Sequence, residues 1–285
     1  MRGTRNGWAG LGWLVFVLVG LGASSATLSA QWVKHPTAGV PRTGSGAPNV
    51  NAPTPRARDG KPDLSGMWRP GNPLPCPPEI SSKDGDCIEK DPLSGWAVNI
   101  GMGLAGGLPY QPWAADLVKQ RSSDFSKDDP HARCLPANVP RGYTLPHITK
   151  VVQVPGLLVM LNEFNASYRQ IFTDGRPLPV DPQPSWNGYS SGRWQGDTLV
   201  VGTAGFRDDL WLDMSGSPMT GAAKMTERLR RPNYGTLEIE LTVDDPKAYT
   251  RPWTVLLKQT IALDTELLDE ICLENERSVQ HMVGK

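Results

Sequence analysis

Met225, Glu227 and Leu229 alternate through residues 224–230, so a strand there sets a carboxylate among apolar side chains. Leu157, Val159, Leu161 and Glu163 share one side of residues 157–163 in the same way. A carboxylate on an apolar face must be paired or take a raised pKa. With Arg169, Arg193 or His147 in reach, Glu227 and Glu163 are candidates for three roles: general acid–base work, recognition of a ligand's polar group, or a buried ion pair that locks the fold. His147 follows Pro146 and precedes a strand, where capping and catalysis are both open to it. Trp186, Tyr189 and Trp211 lie in or beside loops, where such aromatics stack on a flat ligand or glycan or plug a barrel end.

Other strings match chemistry only in spelling. Gly188-Tyr189-Ser190-Ser191-Gly192 reads as a nucleophile elbow, and Ser190, Asp208 and His281 follow a triad order. An elbow needs strand, turn and helix; here a proline-rich loop precedes and a hairpin follows. Gly101-Met102-Gly103-Leu104-Ala105-Gly106 matches a dinucleotide loop, but Gly107 and Pro109 break the helix that would receive a pyrophosphate. Asp128, Asp129 and His131, and Asp208, Asp209 and Asp213, lack the glycine-punctuated ligand series of a calcium loop. No metal site and no cofactor is expected.

The elements that must position these residues are mainly strands. From residue 148 the apolar period is two. Strands are expected over 148–154, 157–163, 168–173, 189–195, 198–206, 224–230, 236–243 and 253–262. Pro155-Gly156 and Gly196-Asp197 are turn signals, the second suited to a type II′ hairpin. Residues 63–147 form a loop-rich stretch with a first short strand at 63–68. One helix is expected near 112–123, with Trp113, Leu117 and Val118 as its apolar face. Residues 31–62, rich in Pro, Gly, Ala and Thr, read as a disordered arm or an extended one. The sum is a single mainly β domain over 63–285, an antiparallel meander closing into a barrel or a sandwich.

Residues 1–30 read as a signal peptide. Arg2 and Arg5 precede an apolar run, and small residues allow cleavage after Ala30 or Ala26. Export places the chain in the periplasm or outside the cell, with no membrane span after cleavage. Cys76, Cys87, Cys134 and Cys272 are then read as disulfides, since four cysteines in an oxidising compartment favour bridges over metal. Cys76 and Cys87 lie close in one loop, which leaves Cys134 for Cys272. Lys and Arg number 29, as do Asp and Glu, a balance that argues against nucleic acid as a partner.

Several motifs carry a resemblance. They are Pro62-Asp63-Leu64-Ser65-Gly66-Met67-Trp68, Cys134-Leu135-Pro136 with Pro140-Arg141, Tyr168-Arg169-Gln170-Ile171-Phe172-Thr173-Asp174-Gly175-Arg176-Pro177-Leu178-Pro179, Trp194-Gln195-Gly196-Asp197-Thr198-Leu199-Val200-Val201, Thr226-Glu227-Arg228, and Asp245-Pro246-Lys247-Ala248-Tyr249-Thr250-Arg251-Pro252-Trp253. Together they resemble a family of exported bacterial proteins, a resemblance that implies one exported domain and supplies no activity. More distantly, Gly66-Met67-Trp68 is similar to the Gly-x-Trp first strand of lipocalin-like barrels. The functional expectation is an exported barrel that binds a small molecule or glycan through Glu227, Arg193, Trp186, Tyr189 and Trp211. An exported hydrolase or isomerase with Glu227 or Glu163 as base, and an envelope scaffold, are the alternatives.

Overall fold

The computed structural model describes residues 35–71, 99–124, 126–272 and 274, and everything below belongs to the unit Pro36–Lys285. The expected signal sequence, the expected Cys76–Cys87 bridge and His281 lie outside the described residues.

Eleven strands follow the chain: β1 (Gly66–Pro70), β2 (Thr149–Val154), β3 (Leu157–Asn162), β4 (Tyr168–Phe172), β5 (Tyr189–Gln195), β6 (Thr198–Ala204), β7 (Leu210–Trp211), β8 (Pro218–Met219), β9 (Lys224–Asn233), β10 (Thr236–Asp244) and β11 (Trp253–Ile261). Among the described residues one α-helix, α1 (Pro112–Ser123), lies between β1 and β2. Nine of the strands close a barrel in the order β1-β11-β10-β9-β6-β5-β4-β3-β2, and β7 pairs with β8 apart from it. Closure excludes the sandwich alternative and removes every free sheet edge from the barrel.

Period-two patterning drives closure. Met225, Glu227, Leu229 and Arg231 of β9 face inward, as do Leu237, Ile239, Leu241 and Val243 of β10 and Trp253, Val255 and Leu257 of β11. Each such apolar side chain contributes about 1.5–3 kcal/mol by leaving water. At the β2–β3 turn Gly156 takes φ +80° after Pro155, as a type II turn requires; at the β5–β6 turn Gly196 takes φ +59°.

The antiparallel expectation needs one correction. β4 and β5 run parallel, in register only at Ile171↔Ser190 and Phe172↔Ser191. A parallel step needs a crossover, and residues 173–188 supply it across the outside of the barrel. Ser191 Oγ donates to the Arg176 carbonyl, and the Ser185 N–H donates to the Gly205 carbonyl at 3.0 Å. Gly205 has no side chain because Pro182 sits where its Cβ would be.

Segments outside the sheet cover both ends. Residues 99–147 pack over one end through Ile100, Leu108, Val139 and Tyr143, all buried in the main core. In α1 only Ala114 is buried, so the expected face of Trp113, Leu117 and Val118 is corrected: Trp113 is 47% exposed. Its indole N–H instead donates to the Lys247 carbonyl at 2.8 Å.

The described part of the arm lies along the barrel. It has no regular element, yet its backbone is fixed. Tyr234 and Gly235 donate to the carbonyls of Ala52 and Val50 at 2.8 Å each, and Thr54 Oγ1 donates to the Arg231 carbonyl at 2.6 Å. The β9–β10 turn offers N–H groups that no strand pairs, and the arm takes them.

Residues of these motifs serve as fixing points. Arg231 donates to the Asp63, Ser65 and Tyr234 carbonyls and stacks 4.9 Å from the Trp68 ring. Asp245 accepts from the Thr220 N–H and hydroxyl, at 2.7 and 2.9 Å, and caps its own turn at Ala248. Cys134 and Cys272 form a disulfide with Cα atoms 5.3 Å apart. Asn165 beside it donates to the Cys134 carbonyl and accepts from the Cys272 N–H.

Candidate functional site

Glu227 does point inward, and its partner is Arg169. The carboxylate is fully buried and Arg169 is 4% exposed. Both carboxylate oxygens accept from the guanidinium, Oε1 from Nη1 at 2.9 Å and Oε2 from Nη2. Tyr143, on a 3-10 turn (Arg141–Tyr143) of the covering segment, donates its hydroxyl to Oε1 at 2.7 Å. Ser190 and Thr203 accept the remaining guanidinium donors at 2.9–3.1 Å. Every nitrogen of Arg169 thus has a partner, as a charge in a low-dielectric interior demands. Burial would lower the Arg169 pKa, but the Glu227 charge and Tyr143 hold it above its usual value. Burial and then the Glu227 charge push the Tyr143 hydroxyl well above the usual tyrosine range.

Sequence parity decides which residues meet here. Arg169 and Ile171 of β4, Ser190 and Gly192 of β5, and Leu199, Val201 and Thr203 of β6 alternate inward. Ser190 is therefore an interior hydrogen-bond partner on a strand, not an elbow nucleophile; Asp208 accepts from the Gly221 N–H instead. Arg193 falls on the opposite parity and is exposed on the outer face of β5, so it does not join Glu227.

Glu163 and His147 also lie away from the interior. Glu163 follows β3 and accepts from the Ile148 N–H at 2.8 Å, tying the ends of β2 and β3. His147 Nδ1 sits 2.9 Å from Glu270, and its ring lies 5.3 Å from that of Phe164. Trp211 is 3% exposed in β7, with Arg121 4.2 Å above its ring. It borders a separate groove of about 340 Å³ with Arg121, Arg133 and Asp209, and does not join Trp186.

Trp186 and Tyr189 do come together. β4 and β5 diverge beyond their short parallel register, and the wedge between them is a cleft of about 460 Å³. Tyr168, Phe172, Trp186 and Tyr189 line it, with Gln170 at its side and Arg169 and Ser190 at its base. Phe172 and Tyr189 stack at 5.2 Å, and Arg207 lies 4.8 Å over Trp186. Asn187 holds the wedge open by donating to the Tyr168 carbonyl and accepting from the Val139 N–H, both at 3.0 Å. The sequence reading missed Tyr168 and Phe172. Their signal was period two: both alternate with Arg169 and Ile171, so inward arginine means outward aromatics.

The acidic strings are paired with basic side chains. Asp129 takes a bidentate pair from buried Arg141 at 2.6 Å, Asp128 meets Lys127 and Arg133, and Asp209 meets Arg207. Asp213 accepts from the Ile100 and Ser217 N–H groups, and burial raises its pKa. No cluster of three or more metal-binding side chains occurs among the described residues. Residues 101–106 form turns with no helix after them, so they cannot cradle a pyrophosphate as a helix terminus would.

No protein family, curated protein or solved structure matches this chain. No helix among the described residues is long and apolar enough to cross a membrane.

Proposed function

We propose that this protein is an exported binding protein that takes a saccharide or a similar flat polar molecule in the cleft between β4 and β5. One observation carries the reading: four aromatic rings converge on a single cleft of about 460 Å³ beside the short parallel register of β4 and β5. Pyranose rings have apolar faces and hydroxyl edges. Aromatic faces beside an exposed amide and tyrosine hydroxyls match both. The Glu227–Arg169 couple beneath supports binding over base catalysis, because the carboxylate is fully buried, does not line the cleft, and already accepts hydrogen bonds at both oxygens.

Export is part of the same proposal. It is supported by the charged and apolar pattern of residues 1–30 and by the Cys134–Cys272 bridge. N-terminal sequencing of protein recovered outside the cytoplasm tests it, with cleavage after Ala30 or Ala26 expected.

Titration with a panel of neutral oligosaccharides, read by calorimetry, tests the cleft. Tyr168 is 64% exposed, so Tyr168→Ala should leave the fold intact while weakening a bound saccharide by about tenfold. Equal affinity in wild type and Tyr168→Ala, or no saccharide bound by either, overturns the proposal.

A further inference from the structure

We infer that the arm and the far mouth of the barrel enclose a second binding site, for a small uncharged molecule with an apolar body. It does not rest on the reading of the aromatic cleft. That cleft lies at the Tyr189 end of β5, and the second site lies at the Trp194 end.

The barrel interior is filled by side chains along most of its length. Protein interiors leave few voids larger than a water molecule. At the end formed by the β2–β3 and β5–β6 turns, about 730 Å³ remains unfilled between the barrel and arm residues 56–63. That volume is in the range of small-molecule pockets.

The walls define the ligand. Leu158, Leu199 and Trp194 reach it from the inner parity of β3, β6 and β5, and Ala57 faces them from the arm. Trp194 is only partly buried although it packs on the main core. Two of the polar side chains nearby are already paired. Gln153 accepts from the Leu64 N–H at 3.0 Å and donates to the Pro62 carbonyl at 3.1 Å. Arg56 makes a two-point pair with Asp197 at 2.6 and 2.7 Å. The deep part, walled by Leu158, Leu199, Trp194 and Ala57, therefore offers mainly apolar contact, and an apolar body suits it. The rim carries Arg58 and Asp59 side by side, both exposed and of opposite charge. A rim of both signs suits a hydroxyl or amide end, which donates and accepts, rather than an ion.

The arm is held here by the exposed Arg56–Asp197 pair, the Thr54 hydroxyl, and the Gln153 and Arg231 side chains on the Pro62 and Asp63 carbonyls, not by strand pairing. Exposed ion pairs hold weakly.

The test uses the mature full chain and N-phenyl-1-naphthylamine, a neutral apolar fluorophore. Saturable one-to-one binding is expected. Ala57→Trp, which fills the space from the arm side, should weaken it at least about tenfold, as should Trp194→Ala. Tyr168→Ala, in the aromatic cleft, should leave it unchanged. Amide chemical-shift mapping keeps the test independent of how the variants fold: shifts are expected at Ala57, Gly156 and Thr173. Unsaturable binding, shifts centred on Tyr168 and Asn187, or wild-type affinity in folded Ala57→Trp overturns the site. Tighter binding of the anionic analogue 8-anilino-1-naphthalenesulfonate overturns the uncharged class.

Discussion

Glu227 on β9 and Arg169 on β4 meet across the inner faces of β5 and β6, joined at both carboxylate oxygens and sealed by Tyr143. The pair links four strands and the covering segment in one hydrogen-bonded unit.

Glu227→Gln keeps the shape and removes the charge. Arg169 then stays buried without its counter-charge, which should cost about 3–5 kcal/mol in denaturant unfolding. Replacing both partners, as Glu227→Leu with Arg169→Met, should cost much less than the two single changes together. A near-native stability for Glu227→Gln would mean that the pair is not what holds these strands.

The Cys134–Cys272 bridge closes a separation of 138 residues and ties the last described segment to Asn165. A loop of that length restricts the unfolded chain strongly. Replacing both cysteines by serine should lower stability by roughly 2–5 kcal/mol. Thermal unfolding with and without reductant checks it; identical curves would argue against the bridge.

His131 stacks on Phe164 at 3.9 Å, and burial, then the nearby Arg141 charge, lower its pKa from 6.5 to about 4. The folded protein therefore keeps this ring neutral where the unfolded chain binds a proton. Its stability contribution is complete above about 6.5 and is lost as pH falls toward about 4. His131→Phe should flatten the decline of stability across that window. An unchanged slope would show that other groups govern it.

Gly235 lies against the arm: a Cβ there would sit 2.6 Å from the Val50 Cβ and 2.9 Å from its carbonyl oxygen. Gly235→Ala should lift residues 50–54 from the β9–β10 turn while the barrel keeps its pairing. Limited proteolysis should then cut within 36–62, and the Tyr234 and Gly235 amides should exchange faster. A resistant arm in that variant would place its main attachment elsewhere.

Much of this was legible in local pattern. Period-two alternation located the strands, and Pro155-Gly156 and Gly196-Asp197 located two turns, because side-chain parity and turn conformation are set by near neighbours. The same parity turned Glu227 inward and, had it been applied to residues 168–172, would have set Tyr168 and Phe172 outward. Alternation cannot say which strands become neighbours. The parallel β4–β5 step, and with it the aromatic cleft, depends on a crossover whose path is fixed by contacts such as Pro182 on Gly205. Nor does composition distinguish a loose arm from an attached one; residues 36–62 are held by backbone groups of a distant turn. The sequence by itself determined that a carboxylate would be buried and must be paired, since a charge among apolar residues is costly anywhere. Only the tertiary structure decided that Arg169 and not Arg193 answers it, because closure of the barrel turns one arginine in and leaves the other in water.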